Sequence, residues 1–442
     1  MPRACSTCRL SRTARTSSTR VLSGGVLERE VARNARTAAE LGESRELLSS
    51  ITAAAMDAIV MIDQENVEKF AQDRDIRRFA RHTARTGAPE QRHEQKGQGD
   101  GHHRGGEQVE GYDWVTPFET DTGCKVYVKP AGSSDEMVTL MASGQYDGVS
   151  ASGDATLRLI RGGEVAAVNL DLVPNYANVF EGLKNQPHNT VDGVSYGVPH
   201  GRGANLLMWN TEELGDALDS WSIVFDPASK AAGKLSLYGS PIYIADAAIY
   251  LMATKPDLKI TDPYSLDEKQ FQAAVDLLKS IRPNVGEFWA DATKQINSFA
   301  GGNVWAGTTW QYQANTLLAN DPPAPVKATL PKEGSTGWSD TWMISTKSQH
   351  PNCMYKWMDY IISPVPNANA TVYFGEAPVS EQGCVEAEKL SPGHCETFHA
   401  QDEAYFDKVY YWNTPSKTCI DGRGDICTDY NEWTKAWTEI QG

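Results

Sequence analysis

From Gly111 onward, helical and strand-like segments alternate at short, regular spacing, and this limits the possible folds more than any other feature. GYDWVTPFETDTG reads as a helix closed by Gly123, and CKVYVKPAG as a strand. SSDEMVTLMASG reads as a helix with a capping box at Ser133 and Glu136 and a stop at Gly144. YDGVSAS is a strand and GDATLRLIRGG a short helix. Further on, SLDEKQFQAAVDLLKSIRP carries a capping box at Ser265 and Glu268, a stripe of Phe271, Val275, Leu278 and Ile281, and a Pro283 stop. INSFAGG closes another helix before the strand NVWAGTTW, and NCMYKWMDYIIS forms one more. Alternation of this kind predicts an α/β protein built on parallel, doubly wound sheets.

The alternation does not extend to the N-terminus, and composition changes at the same place. Residues 1–110 hold 16 Arg and 2 Lys and no Trp or Tyr, whereas residues 111–442 hold 5 Arg, 18 Lys, all 12 Trp and all 17 Tyr. Cations balance carboxylates up to residue 110, at 18 against 16, and fall far short beyond it, at 23 against 41. An acidic, aromatic-rich body excludes a nucleic-acid partner, which needs a basic footprint. Residues 27–57 have helical composition and end in SSITAAAMDAIVMID. The stretch 35–63 resembles the helix-into-strand entry of a PAS sensor domain. The Arg/Gln/Gly/His-rich run from Val67 to Glu110 is expected to be disordered. Residues 1–110 are therefore expected to be an anomalous leader, helical and then disordered.

Six cysteines lie in the body, and their spacing favours Cys384–Cys395, Cys419–Cys427 and Cys124–Cys353, among fifteen possible connectivities. With no histidine at metal-ligand spacing, disulfides in an oxidising compartment are the expectation, and no metal or cofactor is expected. The N-terminus MPRACSTCRLSRTARTSSTRVLSGG lacks the apolar stretch of an export signal, and no apolar run is long enough to span a membrane.

Enzyme motifs fit poorly. Gly193-Val-Ser195-Tyr-Gly197 matches a nucleophile-elbow spacing, but a VDG turn precedes it and Val198-Pro199 follows, which is a hairpin context. Gly201-Arg202-Gly203 lacks the third glycine of a dinucleotide loop, and the Arg423-Gly424-Asp425 tripeptide sits in a short turn between two cysteines. A hydrolase, or a glycosidase using a carboxylate pair, stays as the alternative class.

The run GWSDTW at 337–342 is more informative. In a strand, Trp338, Asp340 and Trp342 share one face. A carboxylate among indoles suits a pocket wall that receives a cation, since both attract it. A Trp-rich edge strand with Asp340 paired to a lysine is the alternative.

Seven segments carry a resemblance over residues 112–442: YDGVSASGDATLRLIRGG, VDGVSYGVPHGRGANLLMWNT, SWSIVFDP, GKLSLYGSPIYIADAAIYL, NVWAGTTW, PKEGSTGWSDTWMI and YKWMDYIISP. Together they resemble the periplasmic solute-binding proteins of ABC importers, close to the spermidine/putrescine-binding family. The resemblance implies a two-lobed periplasmic-binding-protein fold with an interlobe ligand cleft. Lobe 1 would comprise 111–200 and 341–442, lobe 2 would comprise 201–340, and strands would cross near 198–206 and 336–342. Trp310 and Trp338 match the family's aromatic box, Asp340 its amine-binding aspartate, and Ser152 and Asp154 positions lining the cleft. The family's two acidic residues in YGSPIYIAD are replaced by Ser240 and Tyr243, with Asp246 one turn on. Arg202 places a cation in the first crossing, either as a carboxylate partner for a zwitterion such as a γ-amino acid or as a hinge salt bridge. The resemblance thus implies a non-enzymatic, monomeric, periplasmic or extracytoplasmic protein that takes a polyamine or a γ-amino acid and docks on permease subunits. One departure is serious: KGQGDGHHRGGEQVE stands where the family has its first apolar strand, so lobe 1 is expected to lack it.

Overall fold

The computed structural model describes residues 114–131 and 134–442 and the backbone of 58–62. The readings made on the remainder of residues 1–113, and on Ser133, lie outside the described residues.

Two five-stranded sheets organise the body as two lobes. The first runs β2 (Val126–Pro130), β1 (Ala58–Ile62), β3 (Gly148–Ala151), β14 (Thr341–Ile344), β6 (Val198–Pro199). β1 lies antiparallel to both neighbours, with Val60 opposite Val128 on one side and Gly148 on the other. The expectation that lobe 1 lacks its central strand is corrected here. The apolar AIVMI, upstream of KGQGDGHHRGGEQVE, takes the position. A strand there is needed physically, because β2 and β3 would otherwise each bury an unpaired edge.

The second sheet runs β10 (Val285–Trp289), β9 (Leu235–Tyr238), β11 (Ala306–Thr309), β8 (Leu206–Asn210), β12 (Val326–Thr329). β9, β10 and β11 are parallel, as the alternating pattern predicts, and β8 is antiparallel to its neighbours. Its strands are covered on both faces, which is why LLMWN reads as an unbroken apolar run. Between the sheets a short one, β15 (Val409–Tyr411), β13 (Ser335–Trp338), β7 (Gly203–Ala204), carries the chain across three times. Two crossings fall where the sequence puts them, and β15 adds the third.

That third crossing moves the C-terminus. The reading placed 341–442 wholly in lobe 1, but Trp433, Trp437 and Ile440 of helix Tyr430–Gln441 join the core of the second sheet with Trp221, Phe225 and Leu235. Nothing local marks which lobe this helix covers, because β15 has no partner in its own neighbourhood of the sequence.

Helix Glu268–Ile281 forms as expected, though its capping box is Asp267 with Gln270. SLDE and DEKQ both fit the pattern; Ser265 Oγ instead accepts the Ile420 N–H at 2.9 Å. All three expected disulfides are present. Cys124–Cys353 ties helix Val115–Thr122 to helix Pro351–Ile361, and Cys419–Cys427 closes the loop holding the Arg423 tripeptide. In that loop Arg423 turns inward to Asp421 and Asp267, so it is a loop clamp. Ser195 lies in the hairpin β4 (Thr190–Val191) to β5 (Val194–Ser195), and its hydroxyl donates to the Gly197 carbonyl, which leaves no elbow.

Candidate ligand-binding site

Asp340 occupies the two-residue gap between β13 and β14, where the chain passes from the hinge sheet into the first lobe. It is buried, and Ser152 Oγ donates to its Oδ1. Ser152 is the N-cap of helix Gly153–Arg161, yet its side chain makes no capping bond. An N-cap serine normally serves its own helix; this one serves the carboxylate. The first turn of that helix brings Asp154, also buried, with Oδ1 lacking a hydrogen-bond partner among the described residues.

Two residues that sequence reasoning missed complete the cluster. His200, just past β6, places Nε2 2.7 Å from Ser150 Oγ and Nδ1 3.3 Å from Glu376 Oε1. Its backbone N–H donates to the Asp340 carbonyl at 3.1 Å. Glu376 follows Gly375, the left-handed end (φ 76°) of helix Pro364–Phe374, and is itself buried. Its carboxylate lies so close to Gly201 that no Cβ could stand there. The glycine in His200-Gly201-Arg202 was the available signal, although it names no partner.

The electrostatics follow from buried carboxylates beside one imidazole, with the Arg158 guanidinium acting on Asp154 alone among them. Burial pushes Asp340 up to about 7, with the Glu376 and Asp154 charges adding, and only partly countered by His200 and the Ser152 hydrogen bond. Burial likewise raises Asp154. Burial alone would lower His200, but Glu376 and Asp340 outweigh it and hold its pKa above the ordinary value. The cluster is short of positive charge.

Aromatic rings lie beside it. The Trp412 carbonyl packs against Gly153 tightly enough to exclude any side chain there, and Tyr238 of the second lobe stacks on the Trp412 ring at 5.3 Å and 15°. Trp310 meets Tyr238 at 5.9 Å and Trp289 at 4.9 Å. The lobes also meet at Gly375, where a Cβ would lie 3.2 Å from Tyr312. A void of about 10 Å³, lined by Trp338, Gln311 and Gly375 among others, is room for roughly one water.

The expected site residues therefore divide. Ser152, Asp154 and Asp340 come together. Trp338 and Trp342 do not flank Asp340 on one strand face, because the strand breaks at Ser339-Asp340; Trp338 enters the second-lobe core and Trp342 the first. Trp310 contacts Tyr238 and Trp289. Tyr243 lies in the second-lobe core with its hydroxyl 2.8 Å from Thr308 Oγ1. Asp246 accepts from Thr336 Oγ1 at 2.8 Å, and burial pushes it up to about 8. Arg202 is fully buried, paired with Glu403 at 2.8 Å, bonded to the Ala400 carbonyl, and sandwiched by Phe406 at 3.8 Å and Phe180 at 5.5 Å. The structure thus gives Arg202 its hinge salt bridge, leaving it no free charge for a ligand carboxylate.

Comparison with known proteins agrees with the fold. The family described as Bacterial extracellular solute-binding protein matches residues 113–384. Among curated relatives, the Putrescine/agmatine-binding protein of Pseudomonas aeruginosa is 23% identical over 282 residues, covering 60% of this chain and 75% of its own. The Spermidine/putrescine-binding periplasmic protein 1 of Haemophilus influenzae is 27% identical over 281 residues, covering 62% and 72%. In fold, the spermidine/putrescine ABC transporter substrate-binding protein PotD of Streptococcus pneumoniae superposes with a TM-score of 0.58 at 16% identity, covering 74% of this chain and 93% of that one.

Proposed function

Since the chain belongs to the bacterial extracellular solute-binding protein family, whose members carry solutes and are not enzymes, we propose that it captures a small amine for an ABC importer. The observation that carries this reading is buried Asp340, raised to about 7 by burial with the Glu376 and Asp154 charges beside it and only partly countered by the imidazole of His200. Burial disfavours the ionised forms of Asp340 and Asp154, and a ligand that brings positive charge and N–H donors offsets that cost. The relatives named for putrescine, agmatine and spermidine support the same chemistry.

A diamine fits better than a γ-amino acid. A ligand carboxylate would need Arg202, which Glu403 already neutralises, or the N-terminus of helix Gly153–Arg161, whose first turn already holds Asp154. The three disulfides fit the extracytoplasmic space, and the partners there are the importer's permease subunits. Tyr312 of the second lobe lies against Gly375 of the first, next to Glu376, so a solute reaching the cluster from that side would need the lobes to part.

Calorimetric titration of the full chain with putrescine and with γ-aminobutyrate tests the reading. The expected result is putrescine binding that Asp340→Asn weakens by 2–5 kcal/mol, the usual loss when a buried charge is left uncompensated. Putrescine binding indifferent to Asp340→Asn overturns the site. Binding of γ-aminobutyrate that needs both Asp340 and Arg202 overturns the choice of ligand.

A further inference from the structure

Residues 412–430 lie beyond the part of the chain that matches the family, 113–384, and they join the two lobes just past the third crossing. On the second lobe they are fixed largely through backbone. Asp267 and Cys427 form a β-bridge, the Thr428 N–H donates to the Leu266 carbonyl at 2.9 Å, and the Ile420 N–H donates to Ser265 Oγ at 2.9 Å. Arg423 pairs with Asp267 at 3.2 Å, and Cys419–Cys427 closes the loop on itself. Trp412 stacks on Tyr238 of the same lobe, and helix Tyr430–Gln441 follows into its core. A segment fixed this way moves with the second lobe.

Side chains of the same segment grip the first lobe along one helix, Gly153–Arg161. Thr414 Oγ1 donates to the Gly153 and Asp154 carbonyls, 3.0 Å away in each case. The Tyr430 ring lies under the Arg158 guanidinium at 4.6 Å, and Ser416 Oγ accepts from Arg161 Nη2 at 3.2 Å. Asp154, Arg158 and Arg161 follow one another at helical spacing, so the three contacts share one face. This is the helix whose N-cap, Ser152, donates to Asp340 and whose first turn holds Asp154. We propose that residues 412–430 are a clasp, in which Thr414 and Tyr430 hold the second lobe closed on the site helix of the first and so slow the release of solute.

The retention of solute rests on the Asp340 site being the solute site; the closing of the lobes does not. Contacts made between two bodies exist only while the bodies are together, so their whole free energy favours the closed arrangement. Each half of the main contact is also held in place from its own side. Asp135 of the first lobe fixes the Arg158 guanidinium at 2.7 Å, and the Ser240 side chain of the second lobe hydrogen-bonds the Tyr430 hydroxyl. Little ordering is then left to offset the gain when the ring meets the cation. Thr414 acts at the other end of the same face, on the turn that carries Asp154, so parting the lobes breaks its two hydrogen bonds and frees that turn.

The test uses the full chain as wild type, Thr414→Val, Tyr430→Leu and Asp340→Asn, each checked for a wild-type circular dichroism spectrum. Small-angle X-ray scattering without solute reads lobe closure, and stopped-flow dissociation of putrescine reads release. Thr414→Val and Tyr430→Leu are each expected to show a larger radius of gyration and putrescine release about fivefold faster, the usual worth of one such contact. A wild-type radius in both variants overturns the clasp, and release at the wild-type rate in both overturns its hold on solute. Side chains that merely supported the fold of the second lobe would leave both readings unchanged. Should Tyr430→Leu not fold, Thr414→Val decides alone. The Asp340 assignment fails separately: if the wild type takes up no putrescine, or Asp340→Asn binds it as the wild type does, while the radii still grow, the lobe-closing clasp stands and the solute site falls.

Discussion

Asp340 should make the stability of the ligand-free protein depend on pH in a direction opposite to most aspartates. Its carboxyl titrates at 3.8 ordinarily and at about 7 in the folded chain. A raised carboxylate contributes stability that is complete below the unfolded value and is lost as pH climbs to the folded value. At pH 6 the unfolded chain has released this proton, while the native chain holds about nine-tenths of it. The unfolding free energy then falls by about 1.2 kcal/mol per pH unit from this residue alone. Over the whole interval the loss is on the order of 4 kcal/mol, since each pH unit is worth about 1.4 kcal/mol. Asp246, raised to about 8, adds a second slope of the same sign and similar size. Asp340→Asn keeps an oxygen for the Ser152 hydroxyl and removes only the titration. Urea unfolding of both proteins at pH 5.5, 6.0, 6.5 and 7.0 should show the variant with the shallower decline, by about 1 kcal/mol per pH unit. Parallel lines would mean that Asp340 is ionised throughout, and the picture of a charge-starved cluster would be wrong.

Three further outcomes follow from the same structure. Cys124→Ser with Cys353→Ser opens a bridge whose ends are 229 residues apart, so unfolding under oxidising conditions should become easier by about 5 kcal/mol on chain-entropy grounds; equal urea midpoints with and without the bridge would contradict it. Val60→Pro removes a ladder N–H from β1, which is paired on both sides, and should cost about 2–3 kcal/mol or cause aggregation. An unchanged melting temperature would show that AIVMI does not complete the first sheet. Trp310→Ala should weaken amine binding by about 1–2 kcal/mol, the scale of a desolvated cation–π contact, and unchanged calorimetric affinity would remove Trp310 from the site.

What the sequence made legible was local or short-range in pattern. The helix Glu268–Ile281 announces itself through a 3.6-residue stripe, and β8 through an unbroken apolar run. Two disulfides span 11 and 8 residues, so proximity along the chain already favours them, and the third pair follows by remainder. Partners far apart in sequence left no such trace. Glu376 reaches His200 across a separation of 176 in numbering, and only the bare glycine at 201 hints that something must fit there. Arg202 read equally well as a ligand contact or a salt bridge, because Glu403 is two hundred positions away and nothing local marks it.

In the GWSDTW run the expected shared strand face is absent. Asp340 is buried next to a serine and other carboxylates, and it shares no continuous strand face with two indoles. The strand breaks there for a topological reason. β13 belongs to the hinge sheet and β14 to the first lobe, so Ser339 and Asp340 span the step between them. Ser339 Oγ donates to the Gly201 carbonyl and His200 N–H to the Asp340 carbonyl, which laces this crossing to the neighbouring one. Residues at such a step have few backbone partners within their own strand, and their side chains face the junction of the lobes. A carboxylate placed there is held by both crossings at once, so neutralising it with a bound cation acts directly on the strands about which the lobes move.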